Sequence, residues 1–253
     1  MVITIVIPCS RPDYLKRIFA QLDMMPCDRE KVNILVFVDG NQQLFEIARN
    51  LTVNSKFNER LCVYRHKGVP SVGSVKRHRQ RIADVHNDIK PLIKDCDYIF
   101  LLEDDTLPPL NTLEVLVKNY SEYPFAGFIS AVEIGRWGYE MIGGWCANDV
   151  YNPEEITSIA RGEGIVTVDA AGLYCCLIKR DHYMKHFFKP FQDILGPDVD
   201  FGLELRKQGY FNYVNHDLKC KHLTKRGEIN FQNAEIVQVQ VKKLDHEWSQ
   251  GTV

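Results

Sequence analysis

No apolar stretch in this sequence is long enough to cross a bilayer as a helix, and no basic segment leads into an apolar core near its first residue. These absences set the expectation of a cytoplasmic chain without a transmembrane segment. Its 8 cysteines include no Cys-x-x-Cys pair. That argues against a disulfide frame or a zinc site and for reduced, small apolar side chains. Neither sign of charge dominates: 31 Lys and Arg stand against 33 Asp and Glu, a net charge of -2. A balance of this kind gives no general pull toward nucleic acid or anionic membrane. The glycine-bearing basic loop from Lys67 to Arg81 lacks the Gly-Lys-Ser/Thr ending, so it is not a P-loop.

What is present is a core. Apolar residues make up 45% of the 253 residues, enough for one large α/β domain or two small ones. Val2 to Ile7 is a β-branched run, and Leu15, Ile18, Phe19 and Leu22 then recur at helical spacing. Between them, Ser10 and Asp13 form a capping-box pattern, with Pro12 suited to a first helical turn. Asn33 to Val38 predicts a second strand ending at Asp39-Gly40, and Leu44 to Leu51 a second helix. Leu61 to Tyr64 is a weaker strand, and a helix capped by Ser74 runs toward Ile89 and stops before Pro91. Strands alternating with helices imply a mainly parallel sheet covered on both faces.

The most telling stretch is Asp97-Tyr-Ile-Phe-Leu-Leu-Glu-Asp-Asp-Thr-Leu-Pro-Pro109. Its apolar run is too short for an ordinary helix and lacks the alternation of a half-exposed strand, so it predicts a strand buried on both faces. Glu103, Asp104 and Asp105 then fall at the carboxyl edge of the sheet, where open α/β sheets bind ligands. Carboxylates gathered there repel one another unless a cation neutralises them, and hard oxygen donors suit Mg²⁺ or Mn²⁺. The bland alternative is a solvated acidic turn. The basic cluster Lys76, Arg77, Arg79 and Arg81 opposes the helix macrodipole, which a bound phosphate explains and a solvated helix face explains equally well.

Two later constellations complete the pattern. Asp198 and Asp200 open a helix carrying Phe201, Leu203 and Leu205, with Gly209 placed to end it. Acids at a helix N-terminus stay ionised, as a proton acceptor must, although Asp198 as a simple cap fits as well. His222 follows the predicted strands Phe211 to Val214 and Asp217-Leu218; a lone histidine is more often structural than a ligand. The segment Glu133 to Gly164, with Trp137 and Trp145, reads as an insert on a binding face. The tail from Gln232 to Trp248 allows helix or strand.

Taken in order, strand-Pro8-x-x-Arg11-Pro12, strand-Asp39-Gly40, the arginine loop, Phe100-Leu-Leu-Glu-Asp-Asp-Thr-Leu-Pro108, Gly196-Pro-Asp-Val-Asp200 and the late His222 resemble the inverting nucleotide-sugar glycosyltransferases of the GT-A fold, close to glycosyltransferase family 2. The resemblance covers nearly the whole chain. It implies a single domain over residues 1–253: a nucleotide-sugar half over 1–105, an acceptor-side and catalytic half over 106–228, and a tail over 229–253. It implies that Pro8, Ser10 and Arg11 line the nucleotide pocket with Asp39 on the base, typically uracil. Arg77 or Arg79 fixes the diphosphate, and Asp104 lies within the donor-binding set. Glu103, Asp105 and His222 would hold Mn²⁺ or Mg²⁺, and Asp198 or Asp200 would be the general base. The sequence departs from the family pattern at Glu103 (usually Asp), at Gly40 (more often a second Asp) and at Pro197 (commonly Glu). The implied function is sugar transfer from a UDP-sugar, with inversion, to a saccharide, glycolipid, protein or modified nucleic-acid acceptor. A sugar-phosphate nucleotidyltransferase and an inactive nucleotide-sugar-binding module remain as alternatives.

Overall fold

The computed structural model describes residues 1–40, 42–53, 55–57, 60–65, 75–133, 144–158, 162–191, 195–225, 227–229 and 240–241. Its first half alternates strand and helix: β1 (Ile3–Cys9), α1 (Leu15–Met24), β2 (Val32–Val38), α2 (Gln42–Thr52), β3 (Leu61–Arg65), α3 (Val75–Ile89) and β4 (Tyr98–Leu102). Then come β5 (Thr106–Leu107), α4 (Thr112–Glu122), β6 (Ala126–Glu133), β7 (Gly144–Ala147), β8 (Ile156–Ser158), β9 (Ile165–Val168), β10 (Ala170–Ala171) and β11 (Cys175–Lys179). The remainder comprises α5 (Arg180–Lys185), α6 (Pro197–Lys207), β12 (Phe211–Thr224), β13 (Gly227–Ile229) and β14 (Gln240–Val241).

The main sheet has the order β13-β12-β6-β11-β4-β1-β2-β3, with β5 and β9 pairing onto β12. β1, β2, β3 and β4 are parallel, Ile3 standing opposite both Val32 and Tyr98. β11 runs antiparallel to β4 and to β6, and β12 runs parallel to β6. So β1, β2, β4, β6 and β12 all deliver their carboxyl ends to one edge, and β11 starts from that edge. This is the α/β sheet expected, with one antiparallel strand in its middle. Apolar packing covers both faces. Ile3, Ile5, Ile7 and Cys9 join one cluster while Val6 joins the other, and Cys175 and Cys176 are divided in the same way. That is why these strands read as unbroken apolar runs. All 8 cysteines are free.

A second sheet, β10-β7-β8-β14, lies against α6 through Ile156, Ala170, Val199 and Leu203, with Trp145 partly buried beside them. Helix and sheet approach closely because position 202 is glycine: a Cβ there would lie 2.7 Å from the Ala170 Cα. Arg206 bonds the Asp169 carboxylate at 2.9 Å, whose other oxygen accepts from the Ala147 N–H. Gly209, at φ 86°, ends the region of α6 as expected.

Several elements differ from expectation. A short 3-10 turn, Pro12–Tyr14, precedes α1, and α1 has no side-chain cap; the Ser10 N–H is drawn to Asp104 instead. The two strands expected before His222 are one 14-residue strand with an irregularity between Asn215 and Lys219, and His222 lies inside it. The loop over 66–74, Trp137 and most of the tail lie outside the described residues; Gln240–Val241 is strand.

Beneath α3, His86 is buried. Its Nδ1 lies 2.9 Å from the Tyr183 hydroxyl, and its ring stacks on Phe188 at 4.7 Å. Burial, with Lys90 and His186 nearby, lowers its pKa to about 4. The neutral ring is favoured in the folded state, whereas the unfolded chain takes up its proton near 6.5. The stability this ring confers is therefore complete above pH 6.5 and is lost as pH falls toward 4, by on the order of 3 kcal/mol. Denaturant unfolding of His86→Phe is expected to show a shallower loss of stability between pH 7 and 5 than the unaltered chain; parallel curves would contradict this.

Candidate active site

The carboxyl edge gathers the residues singled out in the sequence. Asp104, 1% exposed, receives the turn that follows β1. Its Oδ2 accepts the Ser10 N–H at 2.6 Å and the Arg11 N–H, and its Oδ1 accepts Arg11 Nε at 3.0 Å and Nη2 at 2.6 Å. Burial raises the Asp104 carboxyl, with Asp105 adding to that and Arg11 opposing it. Both oxygens of Asp104 thus shape the Ser10–Arg11 turn. Pro8 is half-buried at the end of β1.

Asp105, fully buried, shares the Arg11 guanidinium with Asp104. Its Oδ2 meets both Arg11 Nη1 and His222 Nε2, the latter at 2.9 Å. Its carbonyl accepts the Leu223 N–H at 2.7 Å, which clamps β12 to the end of β4. His222 Nδ1 lies 3.5 Å from Glu133 Oε2 at the end of β6. Thr106 Oγ1 donates to Glu133 Oε1, and the Glu133 N–H donates to the Tyr174 hydroxyl at 3.0 Å. Burial alone would lower the His222 pKa, but hydrogen bonds to Asp105 and Glu133 outweigh it and carry it to about 10. Burial raises Glu133 even against the attraction of His222. Glu103 is half-buried, its N–H donating to the Tyr174 carbonyl at 2.8 Å.

Among the described residues, no group of three His, Cys, Asp or Glu side chains converges on a cation position. The Asp105–His222 pair offers one carboxylate oxygen and one imidazole nitrogen, hydrogen-bonded to each other, with Arg11 on the same oxygen. Neighbouring ligands of an octahedral ion with bonds of about 2.1 Å stand about 3 Å apart, and Mg²⁺ is typically held by one or two protein groups completed by phosphate and water. The 2.9 Å separation of Asp105 Oδ2 and His222 Nε2 equals that spacing, and it is also the length of the hydrogen bond that joins them in this structure. A carboxylate oxygen and an imidazole nitrogen also fit Mn²⁺.

α3 supplies the other wall. Arg81, buried, bonds both oxygens of Asp39, with Nε at 3.1 Å. Two residues earlier Arg79 faces α6, where its charge lowers the Asp198 carboxyl against the stronger upward effect of burial. The backbone N–H groups at Asp198 and Val199 also favour the anion, as expected at a helix start. Gly196 leaves room for this carboxylate: a Cβ there would fall 2.1 Å from Asp198 Oδ1. Asp200 points elsewhere, 3.3 Å from His186 Nε2 and 3.8 Å from Lys189 Nζ. Arg77 is exposed on α3. Glu133 and Tyr174 were not singled out in the sequence, and Arg81 was read there as part of the basic cluster, not as the partner of Asp39. Glu133 carries the same signal as Glu103, an acid directly after a buried apolar strand, whereas Tyr174 carries none.

No family model and no curated protein sequence matches this chain. Solved structures do. A mannosyltransferase from Pyrobaculum calidifontis, in complex with GDP-mannose and Mn²⁺, aligns with a TM-score of 0.62 at 14% identity, over 89% of this chain and 58% of that one. The chain has the GT-A fold. TarS from S. aureus, residues 1–349, aligns with a TM-score of 0.52 at 11% identity, over 85% of this chain and 58% of that one. This GT-A chain thus spans less than two thirds of the length of either neighbour, and at these identities the likeness establishes the fold alone.

Because four N–H donors converge on buried Asp104, removing its carboxylate leaves them without their acceptor, and only Asp105 then faces the Arg11 charge. Asp104→Ala is expected to lower unfolding free energy by on the order of 3–5 kcal/mol in denaturant titration. A loss below about 1 kcal/mol, the range of an ordinary exposed pair, would contradict the anchoring role.

Proposed function

We propose that this chain is a glycosyltransferase that moves a sugar, with inversion, from a nucleoside-diphosphate donor to an acceptor hydroxyl. The observation that carries the reading is the Asp105–His222 pair at the carboxyl edge of a GT-A sheet. Asp39, with its base-facing capacity oriented by Arg81, sits at the end of the neighbouring strand. Carboxylate oxygens carry more lone pairs than two guanidinium bonds use, so Asp39 still accepts from a nucleobase N–H. Pro8, Ser10 and Arg11 form the floor between base and diphosphate, and UDP is the donor nucleotide we assign.

Asp105 and His222 would hold Mn²⁺ or Mg²⁺, with Glu103 beside them. The ion supplies neutralisation of the charge that grows on the departing diphosphate. The chain's own residues do the rest. Asp198 takes the proton from the acceptor hydroxyl as its oxygen bonds to the anomeric carbon and the bond to the diphosphate breaks on the opposite face. Burial raises the Asp198 carboxyl, which makes it a stronger base than an exposed aspartate, while Arg79 opposes that rise. A positioned base of this kind typically contributes about 10²–10⁴-fold in rate. Asp200, engaged with His186 and Lys189, orients α6.

The test is a thermal-shift panel of UDP-, GDP- and other nucleotide sugars with and without Mn²⁺, followed by turnover of the stabilising donor. One donor at about a hundred times its dissociation constant should add about 2.7 kcal/mol of stability. Asp198→Asn should keep that stabilisation and lose transfer by about 10²-fold or more. No stabilisation by any donor, or full transfer by Asp198→Asn, would overturn the reading. Pyrophosphate release from a nucleoside triphosphate would point to a nucleotidyltransferase.

A further inference from the structure

We propose that Arg79 is a positioning residue for Asp198: from α3 it holds the proton-accepting carboxylate over the first turn of α6, and it does not grip the donor diphosphate. The proposal rests on the reading above, in which Asp198 is the general base. α6 starts after Gly196 with no side-chain cap. The Asp198 carboxylate lies back over that glycine, where a Cβ would fall 2.1 Å from Oδ1. The same point is 3.5 Å from Arg79 Nη1. Guanidinium and carboxylate thus crowd one spot above Gly196, and a side chain there would displace the carboxylate. Within the basic cluster this placement is particular to Arg79. Arg77 is exposed and Arg81 bonds Asp39, whereas Arg79 is half-buried, with its Nε sealed from water and no hydrogen-bond partner for it among the described residues. A guanidinium sunk that far is costly unless an opposite charge meets it. Asp198 is that charge.

The other charged groups around α6 are engaged elsewhere. The helix packs against α3, β6, β10 and β12. On α3, Arg81 faces Asp39 and His86 faces Tyr183. The acid of β6, Glu133, is turned to His222, and β10 is Ala170–Ala171. β12 meets α6 through Asn212, which donates to the Gly202 carbonyl at 2.8 Å. On α6 itself Asp200 meets His186 and Lys189, Glu204 meets Lys207, and Arg206 meets Asp169. Among the described residues, the charge that acts on Asp198 therefore comes from Arg79. Burial raises the Asp198 carboxyl, and Arg79 opposes that together with the backbone N–H groups of Val199 and Asp198. Both restraints also fix where the carboxylate points, and a misplacement of about 1 Å at a reacting group can cost about 10²-fold in rate.

The experiment follows the Asp198 carboxyl by carbon-13 NMR through a pH titration of the full chain labelled at aspartate, its signal identified by its loss in Asp198→Asn. It compares the unaltered chain with Arg79→Gln and Arg79→Lys, and UDP affinity is measured for each by calorimetry with Mn²⁺. Removing the positive charge favours the protonated acid, so Arg79→Gln is expected to raise the Asp198 midpoint by about one unit or more. UDP affinity should change by less than about tenfold. Arg79→Lys keeps the charge on a group without the planar fork. Its midpoint should fall between the other two, and it supplies the readout should the Gln variant not fold. A midpoint unchanged in whichever variant folds would overturn the proposal. A loss of UDP affinity of about tenfold or more in Arg79→Gln would overturn it as well, by making Arg79 a diphosphate residue. A raised midpoint in a chain that does not bind UDP before any substitution would leave the contact in place and overturn its catalytic meaning together with the donor reading.

Discussion

A carboxyl almost sealed from water, Asp104, stands where β1 and β4 deliver their carboxyl ends, and four N–H donors from Ser10 and Arg11 converge on it there. Everything at the edge depends on that grip. It fixes the turn after β1, and it brings the Arg11 guanidinium across to Asp105, the next residue along. Asp105 in turn holds β12 through its carbonyl and His222 through its side chain. A buried ion pair is a poor source of stability compared with apolar packing, but it sets one geometry and punishes departures from it. Here the geometry it sets spans β1, β4 and β12, which no single loop could align.

α3 performs the complementary task on the other side of the edge. Successive side chains two apart on a helix point in widely different directions. Arg81 therefore reaches the end of β2 while Arg79 reaches the start of α6. The basic cluster that opposes the macrodipole thus has two structural partners, Asp39 and Asp198, in addition to any diphosphate it meets. The same reasoning separates Asp198 from Asp200. Two positions apart near the helix start, one faces Arg79 and the other faces His186 and Lys189.

The strands were legible in the sequence because burial on both faces leaves an unbroken apolar run, as in Ile3–Cys9 and Tyr98–Leu102. The acids that follow those runs were legible for the same reason, since a charged residue after a buried strand marks the sheet edge. The roles within the edge were not. Asp104 accepts from Ser10, 94 residues away, and sequence proximity to Asp105 says nothing of that division of labour. Ser10 looked like a helix cap because its spacing to Asp13 is right; the stronger acceptor across the sheet took its N–H. Tyr174 was invisible because an aromatic residue beside two cysteines carries no signal of a hydroxyl aimed at Glu133. Pairing between the ends of β6, β11 and β12 arises from sheet order, which local pattern does not encode.

The central claim is that Asp105 and His222 converge on a divalent ion at the carboxyl edge. Diffraction from crystals grown with Mn²⁺ and a nucleoside diphosphate, recorded at the manganese edge, tests it most directly. The account predicts an anomalous peak within bonding distance of Asp105 Oδ2 and His222 Nε2, with the diphosphate oxygens completing the shell. A nucleotide bound at this edge with no manganese peak beside those two atoms, or a peak on other residues, would contradict it.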